Sequence, residues 1–183
     1  MKKISDKVVT DNGYRKVHEC IYELQWWRNA NFLIYGNSWE ADAVSVLART
    51  KEGDFILIDE YRVWPEKIVR SCILGGHESW QTMETSARHE LKEEIGGIGW
   101  ELYLIGKTIL SPYMFGYSHM FLANNVTYSQ HQKLELWEEI TPVVLSQNEL
   151  ELQIFSWKIE CSTTISLYFL AKEKTKNFTC FEF

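Results

Sequence analysis

The stretch from Gly75 to Gly97, GGHESWQTMETSARHELKEEIGG, constrains this chain more than any other part of it. It sets Glu90, Glu93 and Glu94 on one helix that a glycine pair then ends. Positions i, i+3 and i+4 of a helix share a face, so the three carboxylates fall within an arc of roughly 100°. Like charges at i,i+4 weaken an isolated helix by about 0.2–0.5 kcal/mol per pair. A compensating positive charge is therefore expected, and a hard divalent cation with oxygen ligands suits such a set best. The competing reading is a solvated acidic face, the usual fate of a charge run.

The helix has its own start and stop signals. Thr82 is a suitable N-cap, Glu84 sits favourably in the first turn, and Gly96-Gly97 permits a left-handed C-cap. Leu91 and Ile95 form an apolar row beside the carboxylates, which predicts that the helix lies on a sheet. Strand-like pieces precede it at His18–Leu24, Asn31–Tyr35, Ala43–Arg49, Phe55–Asp59 and Ile68–Leu74. Three more are expected at Leu102–Leu110, His119–Val126 and Leu134–Ile140, with helices over Ser146–Ile154 and Thr163–Lys172. The aromatic close, Phe178–Phe183, fits no element. Mixed strands with a few helices define an α+β chain or an α/β/α sandwich. No repeat, low-complexity segment or linker interrupts it, so residues 1–183 read as one domain.

Composition excludes several functions. A net charge of -6 argues against a general nucleic-acid binder, which would show a basic face. No apolar run reaches the ~18 residues of a membrane span, and Met1-Lys2-Lys3 leads into no signal-like apolar stretch. Cys20, Cys72, Cys161 and Cys180 are scattered without a Cys-x-x-Cys pair, consistent with free thiols in a cytoplasmic protein. His77, His119 and His131 show no zinc-site spacing.

The Gly75–Gly97 run resembles the box of the Nudix hydrolases: Gly, five residues, Glu, seven residues, then Arg-Glu-apolar-x-Glu-Glu-x-Gly-apolar. The register holds without a gap through Gly75, Gln81, His89, Glu90, Leu91, Glu93, Glu94, Gly96 and Gly97. Gln81 stands where the family has Glu, His89 where it has Arg, and Gly97 where it has an apolar residue. The resemblance implies a Nudix-type α/β/α sandwich with a mixed β-sheet, and Mg²⁺ or Mn²⁺ held by Glu90 and Glu94. Glu93 would be a further ligand or would position water, and the Leu74 carbonyl would contribute a ligand. Gly75, Gln81, His89 and Gly96 would shape the box, with Gln81 and His89 hydrogen-bonding each other in place of the family's ion pair.

Outside the box, Glu60-Tyr61-Arg62 is similar to the Gln-Phe/Tyr-Arg motif of ADP-ribose and ADP-sugar pyrophosphatases, and Ser111-Pro112 to a later loop. This implies hydrolysis of a phosphoanhydride in a nucleoside diphosphate derivative, ADP-ribose or an ADP-sugar preferred, with Arg62 on a phosphate. It also implies a homodimer, with residues 1–40 as a dimerisation and substrate region, residues 41–183 as the core, and Trp26 and Trp27 stacking on a base. Plain packing is the alternative for the tryptophans, and an ion pair for Arg62. Glu135, Glu138 and Glu139 are candidates for an additional base or are ordinary surface carboxylates. Cleavage of another nucleotide, or a catalytically weak nucleotide-binding sensor, are the alternative functions. No nucleic acid or membrane partner is expected.

Overall fold

A computed structural model describes residues 1–13, 15–37, 42–77, 80–98, 101–129, 131–136 and 138–176. Among the described residues ten strands run in chain order: β1 (Lys2–Asp11), β2 (Arg15–Glu23), β3 (Asn29–Asn37), β4 (Ala43–Arg49), β5 (Phe55–Arg62), β6 (Lys67–Ser71), β7 (Ile73–Gly76), β8 (Glu101–Ser111), β9 (Met114–Asn124) and β10 (Ile140–Leu145). The α-helices among these residues are α1 (Met83–Ile95), α2 (Gln147–Phe155) and α3 (Ser162–Lys174). The hydrogen-bonded path is β1-β2-β3-β9-β4-β5-β10, with β6 beside β5, β7 beside β4 and β8 beside β9. The sheet is mixed, because β4 runs parallel to β9 but antiparallel to β5 and β7.

Alternation along β4 divides the interior in two. Val44, Val46 and Ala48 join Ile73, Phe121 and the Ala87, Leu91 and Ile95 face of α1. Leu47 joins Phe55, Leu57, Met120 and Leu122 beneath Leu150, Ile154, Leu167 and Tyr168 of α2 and α3. This is the α/β/α sandwich that the sequence predicted. Leu91 is 1% exposed, so truncating it to alanine is expected to cost about 2–5 kcal/mol.

The expected strand at Ile68–Leu74 is two strands. Residues 67–71 pair with β5, and residues 73–76 then pair with β4. The changeover at Cys72 spans the place where β4 and β5 part, since those two pair only at Ala48–Ile56 and Arg49–Phe55. The strand expected at Leu134–Ile140 is instead a loop, and the strand begins only at Ile140, pairing with Glu60. Its alternating pattern misled because Leu136 is 99% exposed and the backbone amides of Glu135 and Glu138 bond within the segment, to Glu138 Oε2 and Glu135 O, rather than to a sheet. The N-terminal region holds more strand than expected: β1, exposed throughout, pairs with β2 along most of its length. Residues 177–183, including Phe178–Phe183, lie outside the described residues.

Candidate active site

The local sequence fixes both ends of α1. Thr82 Oγ1 accepts from Thr85 N at 3.1 Å. At the other end Gly96 takes φ 60°, with its N–H on Lys92 O at 3.0 Å and Gly97 N on Leu91 O at 2.9 Å. This paired closure needs a left-handed residue, which glycine adopts without strain. Gln132 and Lys133 then cap the last carbonyls: Lys133 N donates to Glu93 O at 2.9 Å, and Gln132 Nε2 donates to Glu94 O and Ile140 O. Gln132 and Lys133, just before the segment expected to be a strand, therefore tie the helix end to the start of β10.

With Leu91 and Ile95 buried, Glu90 and Glu94 are carried towards the sheet. Gly75 on β7 makes room for the first of them. A Cβ at Gly75 would stand 1.9 Å from Glu90 Cδ and 2.0 Å from Oε1, so the carboxylate occupies the space that a side chain would fill. Glu94 is only 3% exposed, and its Oε2 has no hydrogen-bond partner. Burial, helped by Glu90, Glu60 and Glu138, pushes its carboxyl up to about 9, against the opposing influence of Arg62. Glu60, at the end of β5, is also raised by burial and is paired with Arg62 Nη2 at 2.6 Å.

Thus α1, β5 and the loop before β10 bring Glu90, Glu94, Glu60, Glu138 and Arg62 into one electrostatic cluster. Glu93 turns aside and meets His89 Nδ1 at 3.5 Å. Glu138 Oε2 accepts from Glu135 N at 3.0 Å, which holds it in the loop. Among the described residues no group of three or more His, Cys, Asp or Glu side chains forms a ready-made metal cage. The donor chemistry nonetheless fits a hard divalent cation: an unsatisfied buried carboxylate oxygen, a second carboxylate in a glycine cradle, and too little positive charge nearby.

One sequence expectation is corrected here. Gln81 and His89 do not pair with each other, because Gln81 Oε1 accepts from Ser86 Oγ at 3.3 Å while His89 faces Glu93. Trp26, the base-stacking candidate, lies between β2 and β3. It is 82% exposed on a single 3-10 turn, Gln25–Trp27, with φ 67°, and lines a separate shallow cavity with Met1, Leu24, Gln25 and Arg28. The side chain of Trp27 lies outside the described residues.

A second cavity, of about 380 Å³, opens beside Leu74, Gly75 and Gly76. Asp42 borders it, accepting from Tyr117 N at 2.9 Å and bonding His119 Nε2 at 2.7 Å. These bonds outweigh the effect of burial and hold the Asp42 carboxyl below its ordinary value. Nothing in the sequence marks Asp42, whose importance comes from the parallel pairing of β4 with β9.

The fold and this site define a Nudix-type sandwich, an α+β architecture with the box helix on one face of a mixed sheet. A solved structure described as an ADP compounds hydrolase superposes with a TM-score of 0.83 at 18% identity, covering 98% of this chain and 97% of that one. No family model matches the sequence. No curated protein matches it either.

Proposed function

We propose that this chain is a divalent-metal-dependent hydrolase that cleaves a phosphoanhydride in a nucleoside diphosphate derivative, with ADP-ribose or an ADP-sugar preferred. The observation that carries this reading is Glu94, a buried carboxylate with an unsatisfied oxygen beside Glu90 on the box helix. The architecture shared with an ADP compounds hydrolase supports the substrate class. Glu90 and Glu94 would hold Mg²⁺ or Mn²⁺, with Glu93 and the Leu74 carbonyl as further candidates. When bound, the ion neutralises charge on the phosphate oxygens and favours attack by water. Arg62, already held by Glu60, would place its remaining N–H groups on a phosphate. Glu93 and Glu138 are the carboxylates available to orient water or receive its proton.

The test is a panel of nucleotide substrates with Mg²⁺, followed by release of phosphorylated products. Chelator should abolish turnover and added Mg²⁺ should restore it; full activity in chelator rules the assignment out. The second reading, a catalytically weak nucleotide sensor, is favoured by Gln81 and His89, which leave the box without its usual ion pair. Binding without turnover across the panel would establish it.

The protein is further proposed to act as a single domain in the cytoplasm and as a homodimer through residues 1–40. The ten exposed residues of β1 form an open edge that supports this reading. Light scattering at micromolar concentration should give twice the chain mass, and a monomer would refute it. Among the described residues no helix is long and apolar enough to cross a membrane.

A further inference from the structure

The cavity beside Gly75-Gly76 has a wall that the box does not supply. The β1–β2 turn brings Arg15 to its rim. That turn is tightly built: Arg15 N donates to Asn12 Oδ1 at 2.7 Å, Asn12 N donates to Arg15 O at 3.1 Å, and Gly13 takes φ 86°. The floor is apolar, from Leu74, Leu110, Met114 and Phe115. Phe115 is itself fixed, with the His18 ring edge-on at 4.8 Å and Gly36 lying so close that a Cβ there would come within 3.2 Å.

The charges lining this cavity are unequal. Asp42 is committed to His119 and the Tyr117 amide. Arg49, Arg62, Arg70 and Arg88 each meet an acceptor. The Arg15 guanidinium has no such partner among the described residues, so the cavity presents one uncompensated cation over an apolar floor. Its volume falls within the range of small-molecule sites, roughly 300–1,000 Å³.

We propose that this cavity receives the part of the substrate outside the reacting diphosphate, and that Arg15 there selects an oxyanion, a phosphate or a carboxylate, carried on a ring-bearing group. This rests on the hydrolase reading for the identity of the reacting diphosphate. The arrangement suits such a group because the ring covers the Met114–Phe115 floor while the guanidinium pairs with the anion through two parallel N–H bonds. Arg15 is then a specificity residue, supplied by the N-terminal strands rather than by the box.

Equilibrium binding by calorimetry, in chelator so that no turnover intervenes, tests this with two matched pairs. UDP-glucuronate against UDP-glucose probes a carboxylate, and NADP against NAD probes an added phosphate. At least one pair should show an affinity preference for the charged member of roughly tenfold or more, as expected of a charge-assisted bond. Arg15→Ala should abolish that preference while leaving affinity for the neutral member within about twofold. Arg15→Lys should retain part of it. The pair that responds identifies the anion. Equal affinity within both pairs, no binding of any of the four, or a preference unchanged in Arg15→Ala would each overturn the proposal. Charge-selective binding without turnover in Mg²⁺ on any nucleotide would refute the hydrolase reading alone, whereas turnover without charge selectivity would refute this inference alone.

Discussion

Glu94 and Glu151 lie on helices that cover opposite faces of the same sheet, and the surroundings of their carboxylates are contrasting. Glu151 on α2 accepts from Lys172 Nζ at 2.7 Å, Gln147 Nε2 at 3.0 Å and the Tyr168 hydroxyl. Those bonds hold its carboxyl down at about 2. Glu94 on α1 has an oxygen without a partner, and burial among other carboxylates drives it up to about 9. A carboxylate that only supports a fold is expected to be supplied with donors, because leaving it without them costs stability. The α2–α3 face obeys that rule and the α1 face breaks it. The difference is visible without reference to any motif, and it is what the metal site proposed on α1 requires.

The largest effect expected of this contrast is on turnover. Glu94→Gln should lower it at least ~10²-fold by removing a ligand charge. In chelator the same variant should unfold at a temperature equal to or above that of the unaltered protein, since an amide is cheaper to bury than an unpaired carboxylate. A clear loss of metal-free stability would mean that Glu94 is structural and would erase the contrast. On the other face, Glu151→Ala should cost about 2 kcal/mol in urea unfolding, by leaving Tyr168 and Lys172 without their acceptor, while Mg²⁺-dependent activity stays near normal.

A pH titration of stability sharpens the same point. The Glu151 carboxyl ordinarily titrates near 4.5 but near 2 in the fold. Between those values the unfolded chain binds a proton that the folded chain does not. The stabilisation is therefore complete above about pH 4.5 and is lost as pH falls towards about 2. Glu151→Gln should flatten this part of the curve, and an unchanged slope would show that the bonds contribute little.

The smallest effect concerns the box departures. Because Gln81 and His89 contact Ser86 and Glu93 rather than each other, Gln81→Glu and His89→Arg should combine additively, with coupling below ~0.3–0.5 kcal/mol in a double-mutant cycle of unfolding. Coupling above ~1 kcal/mol would restore the matched pair read from the sequence.

What the sequence revealed follows physical range. The limits of α1 were readable because Thr82 and Gly96 act on their own turns, and β4 was readable because Ala43–Ala48 is apolar apart from Ser45. The loop at residues 131–139 was not. Its alternation imitates a strand, but Glu135 and Glu138 bond each other, and Gln132 and Lys133 are drawn to the carbonyls of Glu94 and Glu93, far away in the chain. The carboxylate helix was legible as spacing, but the isolation of Glu94 was not, since it depends on Glu60 and Glu138 arriving from other elements. Asp42 and Arg15 carried no local signal at all. They matter through the cavity, which exists only when β2, β4, β7 and β9 are assembled.

Gly75 and Gly76 are chemically identical neighbours, yet the fold gives them opposite freedom to change. At Gly76 an added Cβ meets nothing within 4 Å, whereas at Gly75 it would coincide with the Glu90 carboxyl group. A saturation library across the two codons should therefore recover many residues at 76 and glycine alone at 75 when selected for activity. For this protein, the gap between strand and helix makes one codon immutable and leaves the next one open.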